Sequence, residues 1–280
     1  MTNSLLSKST AISLYGSICQ KLFLLAKFTF FLAHYFAKNK NGRVILSRDE
    51  EFFVYSKQDN IKMYLAYPGR SLNYLKGIKA NLLAYKDRYP IPKINFENPL
   101  TIIDCGGNIG EFSFSWMLNH SNSSIYVFEP SPLEFSILSR NLSGYSDKIT
   151  FVNKALGGQT GEISFYVKSK DADSSTIAPK TYEKKIQVPV ITLNDFFREK
   201  KVKKIDFLKL EAEGAEPEVL LGATDVLKKT RYISVDWGPE RGVSEETTLA
   251  TVCNILFPLG FEMHTMQEVN YTCLFKNKNL

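Results

Sequence analysis

The chain is 280 residues long, 44% apolar and 23% charged, with a formal net charge of +6. These are ordinary globular values that exclude a disordered chain or a polytopic membrane protein, and the length fits one large domain or one domain with an extension. Cys19, Cys105, Cys253 and Cys273 stand far apart without a CxxC pair, and His34, His120 and His264 are the only histidines. A disulfide framework or a zinc or His-rich metal site is therefore not expected, and a reducing, cytoplasmic compartment is the natural reading.

Charge is unevenly placed. Residues 1–100 hold 15 Lys/Arg against 6 Asp/Glu, a net +9, and residues 101–280 hold 20 against 23, a net −3. The first 48 residues carry seven basic side chains and no acidic one. Such asymmetry suits an anionic surface, lipid or nucleic acid, and equally a solvated basic helix face. Residues 1–41 form an apolar and basic segment. Within it, residues 12–37 repeat apolar positions at helical spacing (Ile12, Tyr15, Ile18, Leu22, Leu25, Leu32), interrupted by Lys21, Lys27 and His34. Three readings stay open there: a helix packed on the domain that follows, an interfacial helix in peripheral contact with a membrane, or a membrane span.

Residues 42–99 read as a lead-in. Arg43–Leu46 and Glu51–Tyr55 alternate as strands around a Ser47-Arg48-Asp49-Glu50 turn. Residues 74–89 then show helical spacing, and Pro90 ends that helix. From Leu100 to the C-terminus, strands and helices alternate, which predicts a doubly wound, mostly parallel α/β sheet. Strands are expected at 101–105, 124–128, 149–152, 205–210 and 232–236. Helices are expected from 110 to about 119, over 132–142 and 193–199 (capped by Thr192), from about 215 to 228, and over 244–257. Segments 162–167 and 185–190 form an inserted hairpin with a long tip, and 261–266 and 270–275 are the closing strands.

The chemistry concentrates at strand ends. Asp104-Cys105-Gly106-Gly107-Asn108-Ile109-Gly110 leaves a strand and opens a helix, and glycines there let backbone approach a ligand closely. The pattern is D-x-G-x-N-x-G rather than the dinucleotide GxGxxG, and an acid before the first glycine repels a pyrophosphate but suits a ligand with an ammonium group, such as S-adenosylmethionine (SAM). Glu129 ends the next strand, 25 residues after Asp104, where a carboxylate accepts hydrogen bonds from two ribose hydroxyls. Pro130 follows it, and Asn153, Ala155 and Leu156 follow the third strand, where they flank an adenine or serve the core. Glu211 and Glu213 end the fourth core strand and Asp236 the fifth. Each is a candidate general base, against the alternative that Glu213 and Glu216 only cap a helix.

The segments 104–113, Phe128-Glu129-Pro130 and Lys209-Leu210-Glu211-Ala212-Glu213-Gly214-Ala215-Glu216, in that order, resemble the FkbM-type SAM-dependent methyltransferases, with similarity from about Gly77 onward. The resemblance implies a Rossmann-like class I methyltransferase fold with an antiparallel C-terminal strand. It also implies SAM as cofactor and O-methylation of a sugar, glycan or other small hydroxylated acceptor. A serine pair of that family is matched at Ser174-Ser175-Thr176. Two positions depart from the pattern: Gly107 stands where Ala is usual, a change expected to be harmless, and Glu211 stands where Asp is usual. An NAD-linked oxidoreductase is disfavoured by the missing GxGxxG. A non-catalytic, membrane-associated interaction protein is disfavoured by the intact Asp104, Gly106, Gly110 and Glu129. Nucleic acid is not expected as a partner, because the core is net acidic and has no base-flipping motif.

Overall fold

The computed structural model describes residues 24–25, 27–28, 44–48, 51–92, 99–168 and 174–280. They belong to two units, Met1–Asn81 and Leu82–Leu280. Of the helix expected over 12–37, Leu24, Leu25, Lys27 and Phe28 are helical, with the three apolar side chains exposed, and the rest lies outside the described residues. Among the described residues no helix is long and apolar enough to cross a membrane.

The first unit holds an antiparallel meander of β1 (Val44–Arg48), β2 (Phe52–Ser56) and β3 (Ile61–Leu65). Ser47 and Arg48, expected in the turn, are strand residues paired with Phe53 and Phe52. The third strand was not expected. Its alternation is visible once Asn60, at φ 53°, turns the chain, because Met63 then falls opposite Val54 with both side chains buried. Helix α1 (Ile78–Arg88) follows, passes into the second unit at Leu82, so that Arg88 belongs to that unit, and stops before Pro90.

The second unit is built on a seven-stranded sheet. Its strands are β4 (Leu100–Cys105), β5 (Ser123–Phe128), β6 (Ile149–Val152), β10 (Ile205–Leu210), β11 (Thr230–Asp236), β12 (Phe261–Gln267) and β13 (Thr272–Asn277). The spatial order is β12-β13-β11-β10-β4-β5-β6, all parallel except β13, which runs antiparallel to both neighbours. Helix α2 (Glu111–Asn119) connects β4 to β5; between β5 and β10 lie helix α3 (Pro132–Asn141) and a small sheet in which β9 (Lys184–Ile191) sits between β7 (Ala155–Leu156) and β8 (Gly161–Val167). Helix α4 (Leu193–Lys200) starts at Thr192, whose Oγ1 accepts from Asp195 N as its sequence position predicts.

Both faces of the sheet are covered, which is why β10 is buried along its whole length. One apolar cluster gathers Phe112, Trp116, Phe207 and Tyr232, and the other gathers Phe128, Phe196, Leu208, Leu210 and Val219. Period-2 alternation therefore puts Lys209 on the Phe207 face. The chain runs outward from β4 to β6, then returns to lay β10 against the other side of β4. The strand order reverses between β4 and β10, the place where open α/β sheets form a crevice at the carboxyl ends.

Two helices differ from expectation. The helix expected from about 215 to 228 is split into α5 (Glu216–Leu221) and α6 (Thr224–Leu227). Gly222 packs against the Gly157 backbone, and Asn194 Oδ1 accepts from Asp225 N and Val226 N to start α6. The helix expected over 244–257 begins later, as α7 (Leu249–Leu256). Its first turns are replaced by a backbone bridge between Arg241 and Glu246, with Glu245 at φ 53°.

A methyl group on Gly222 would lie 2.1 Å from Gly157 O. The contact is with backbone, so the overpacking outweighs the helix-propensity gain of alanine. Gly222→Ala is expected to destabilise the protein by about 2 kcal/mol, read as a lowered midpoint in urea at unchanged m.

Candidate active site

The turn after β4 takes its shape from positive backbone angles: Gly106 at φ 77°, Asn108 at 48° and Gly110 at 92°. Gly106 N and Gly107 N both donate to Phe128 O, at 3.1 and 2.9 Å, tying the turn to the end of β5. The glycines serve packing more than ligand approach. A Cβ on Gly106 would lie 2.2 Å from Glu211 O, and one on Gly110 would lie 2.9 Å from Leu142 Cδ1. Gly107 is packed as tightly, since a Cβ there would meet Val127 Cγ2 at 2.3 Å and Leu138 Cδ1 at 2.6 Å.

Glu129 is buried, and each carboxylate oxygen accepts from a backbone amide: Oε2 from Asn108 N and Oε1 from Ser131 N, both at 2.8 Å. Burial pushes its carboxyl up to about 8 against the pull of those two amides. Asn153 does not reach the crevice. Its Nδ2 donates to Glu129 O at 2.8 Å and to Pro130 O, holding that loop from behind. Gly106, Asn108, Glu129, Pro130 and Ala155 line one crevice of about 710 Å³, open mouth included. Phe128, Leu156 and Phe165 give it an apolar side.

Asp104 stands behind this crevice. It is fully buried, accepts from Ser113 Oγ at 2.6 Å and pairs with Lys209 Nζ at 3.2 Å, its in-register neighbour on β10. Burial raises its pKa and Lys209 opposes the rise. Lys209, which sequence reasoning left without a role, organises the floor. Its ammonium donates to Cys105 O and Gly106 O and meets Glu211 Oε2 at 2.7 Å. It also faces the rings of Tyr89 and Phe112. The signal that points to it is a lysine inside an otherwise buried strand, two residues from an acid and level with another.

The three candidate bases occupy different settings. Glu211 lines the crevice, but Lys209 holds one oxygen and Arg88, from the end of α1, holds the other at 2.8 Å. Burial alone would raise its pKa, yet these two cations pull it well below the usual carboxylate range. Asp236 is buried at the end of β11 outside the crevice lining, accepts from Gly238 N at 3.1 Å, and lies 3.6 Å from Arg88, which links it to Glu211 on the crevice wall. Burial first, then Glu211 and Glu240, push it up to about 7, against Gly238 N and Arg88. Glu213 sits at φ 51° on the loop after β10, and its carbonyl accepts from Ser175 Oγ at 2.6 Å. Glu216 has a capping role: its Oε1 accepts from Ala212 N and Gly214 N. Ser174 and Thr176 also line the crevice.

The crevice fits SAM in chemistry. Its ionisable lining is Glu129, Glu134, Glu211 and Glu213 against Lys154, a surplus of carboxyl groups that can accept from the hydroxyl and amino groups of such a ligand. Because Lys209 neutralises two buried acids, Lys209→Met is expected to destabilise the fold by about 3–5 kcal/mol, measured by urea denaturation. The surface change Lys203→Met is expected to leave the midpoint in place.

Residues 104–263, more than half of the chain, match the model of the methyltransferase FkbM domain. Methyltransferase 1 of Beauveria bassiana is 32% identical over 162 residues, 50% of this chain and 62% of that protein. The 2-O-methyltransferase NoeI of Sinorhizobium fredii is 23% identical over 217 residues, 69% of this chain and 89% of that one. The hexuronic acid methyltransferase AglP of Haloferax volcanii is 27% identical over 133 residues, 48% and 54% respectively. The match thus spans less than two thirds of the Beauveria and Haloferax proteins. A methyltransferase FkbM from Methylobacillus flagellatus KT aligns in structure with a TM-score of 0.48 at 18% identity, over 75% of this chain and 53% of that one. The extent of the family match, on a sheet of this strand order, establishes that the chain belongs to the FkbM methyltransferase domain family, SAM-dependent methyltransferases of the Rossmann-like class I fold.

Proposed function

We propose that the protein transfers a methyl group from SAM to a hydroxyl oxygen of a sugar or another small hydroxylated acceptor. The relatives named as a 2-O-methyltransferase and a hexuronic acid methyltransferase support a sugar-like acceptor. The observation that carries hydroxyl chemistry is Asp236, a strand-end carboxylate near neutrality joined through Arg88 to the crevice wall at Glu211. An alcohol must lose its proton as it attacks, and a base is most effective with a pKa near the working pH.

When bound, SAM supplies a methyl group on a sulfonium that an oxygen nucleophile can displace. Glu129, oriented by Asn108 N and Ser131 N, would hold the ribose hydroxyls, and Phe128, Ala155 and Leu156 would offer the adenine an apolar surface. Asp104 acts at one remove, fixing Lys209 and through it the carbonyls of Cys105 and Gly106. Asp236 takes the acceptor's hydroxyl proton. Glu211, paired to two cations, serves to hold Arg88 rather than to accept a proton.

Two outcomes are expected. Glu129→Ala should weaken SAM binding by about 1–3 kcal/mol in calorimetry, and should also lower the melting temperature because Asn108 N and Ser131 N lose their acceptor. Equal affinity in the variant removes Glu129 from the cofactor site. In an assay of S-adenosylhomocysteine release over a panel of glycosides, turnover should fall about tenfold per pH unit below pH 7, because protonated Asp236 cannot accept a proton. Asp236→Asn should lower kcat about 100-fold or more, abolish that acid limb and leave SAM affinity intact. An unchanged pH profile in the variant would transfer the base to another group.

A further inference from the structure

A second cavity opens beside the cofactor crevice, about 530 Å³ with its mouth. Glu213 lines both, and Ser175, whose Oγ donates to Glu213 O at 2.6 Å, lines the second one. Its neighbours Ser174 and Thr176 face the first, as alternation along an extended segment requires. The partition between the two spaces is thus a single hydrogen-bonded layer, Ser175 on Glu213.

We propose that this second cavity is the acceptor subsite and that it takes a saccharide carrying an anionic group, a carboxylate or a phosphate. The inference rests on the reading of the protein as an O-methyltransferase. The cavity wall is polarised. Lys168 and Lys180 come from the β8–β9 connection, while Glu213, Glu240 and Glu245 stand on the segments after β10 and β11. An anionic sugar matches both sides at once: its carboxylate or phosphate accepts from ammonium groups, and its hydroxyls donate to carboxylates. Pro179 and Pro239 add flat apolar surface for the C–H face of a sugar ring. None of the described lining residues is aromatic, so a nucleobase finds no stacking platform. Glu213 lines both spaces, so an acceptor held here borders the cofactor crevice at that residue.

The test uses the full chain saturated with S-adenosylhomocysteine, whose binding is measured first by calorimetry. Methyl β-D-glucuronide, glucose 6-phosphate and methyl β-D-glucoside are then titrated and followed by ligand-observed NMR. One or both anionic sugars should bind tighter than the neutral one, and the stronger of the two tells which anion is preferred. Lys180→Glu should weaken that binding by about tenfold or more without moving the S-adenosylhomocysteine affinity. Lys203→Glu, the same charge change on an exposed residue outside the cavity lining, should leave both affinities unchanged. If S-adenosylhomocysteine binds but the neutral glycoside matches the anionic sugars, the subsite assignment is overturned while the methyltransferase reading stands. The same holds if no sugar binds at millimolar concentration, or if Lys180→Glu has no effect. Failure of S-adenosylhomocysteine itself to bind overturns both.

Discussion

The site depends on one buried cation. Lys209 lies among apolar side chains, where an unpaired ammonium is untenable, and its surroundings are arranged to neutralise it. Asp104 sits level with it on β4, Glu211 lies two residues beyond it, and two carbonyls of the β4 turn complete its donors. The chain of charges continues through Arg88 to Asp236, so carboxylates and cations alternate across the ends of β4, β10 and β11. The first four members sum to zero. Asp236, the fifth, is left over, and that surplus near Glu211 and Glu240 adds to burial in making its protonated form favourable at neutral pH. One arrangement thus suppresses the basicity of Glu211 and raises that of Asp236.

The same region stores backbone strain. Asn108 and Glu213, neither of them glycine, hold φ near 50°, which persists only when the surroundings over-determine it. For Asn108 the determinant is Glu129, which accepts its amide. For Glu213 it is a clamp from two sides. Ser175 donates to the Glu213 carbonyl, and Arg241 donates to that of Gly214 while forming a bidentate pair with Glu218. Gly214 has no alternative residue here, since a Cβ would lie 2.6 Å from Arg241 Cα. The hairpin insertion and the segment after β11 therefore fix the geometry of the loop that separates the two cavities.

Much of this was legible in the sequence. The core strands are apolar runs ending in acids or glycines, so β4, β5, β10 and β11 and the carboxyl edge they share follow from pattern alone, and Thr192 announces its helix. What escaped lies in tertiary pairing. The break at Gly222 depends on Gly157, some 65 residues away, and the late start of α7 depends on a bridge between Arg241 and Glu246. The Arg88 contribution comes from a helix outside the core motifs. The pattern around Asp104 suits a ligand's ammonium group, but register against Lys209 decides where its carboxylate points. A sequence gives which residues end strands; which strands lie side by side, and in what register, assigns their partners.

The division of labour between the cavities follows from how each is built. The cofactor crevice rests on the ends of hydrogen-bonded strands, whose register is fixed by two buried faces and tolerates little change. The second cavity is walled by the β8–β9 connection and the segment after β11, and loops on a rigid scaffold are where specificity is altered most cheaply. Neither loop contributes a residue to the chain from Asp104 to Asp236, and they touch the loop after β10 through Ser175 and Arg241, each bonded to a backbone carbonyl. Backbone carbonyls survive any side-chain substitution at Glu213. The wall charges at positions 180 and 245 are therefore free to vary while Asp236 and the Glu129 amide cradle keep their geometry, whereas Glu240 is tied to Asp236, whose pKa it raises.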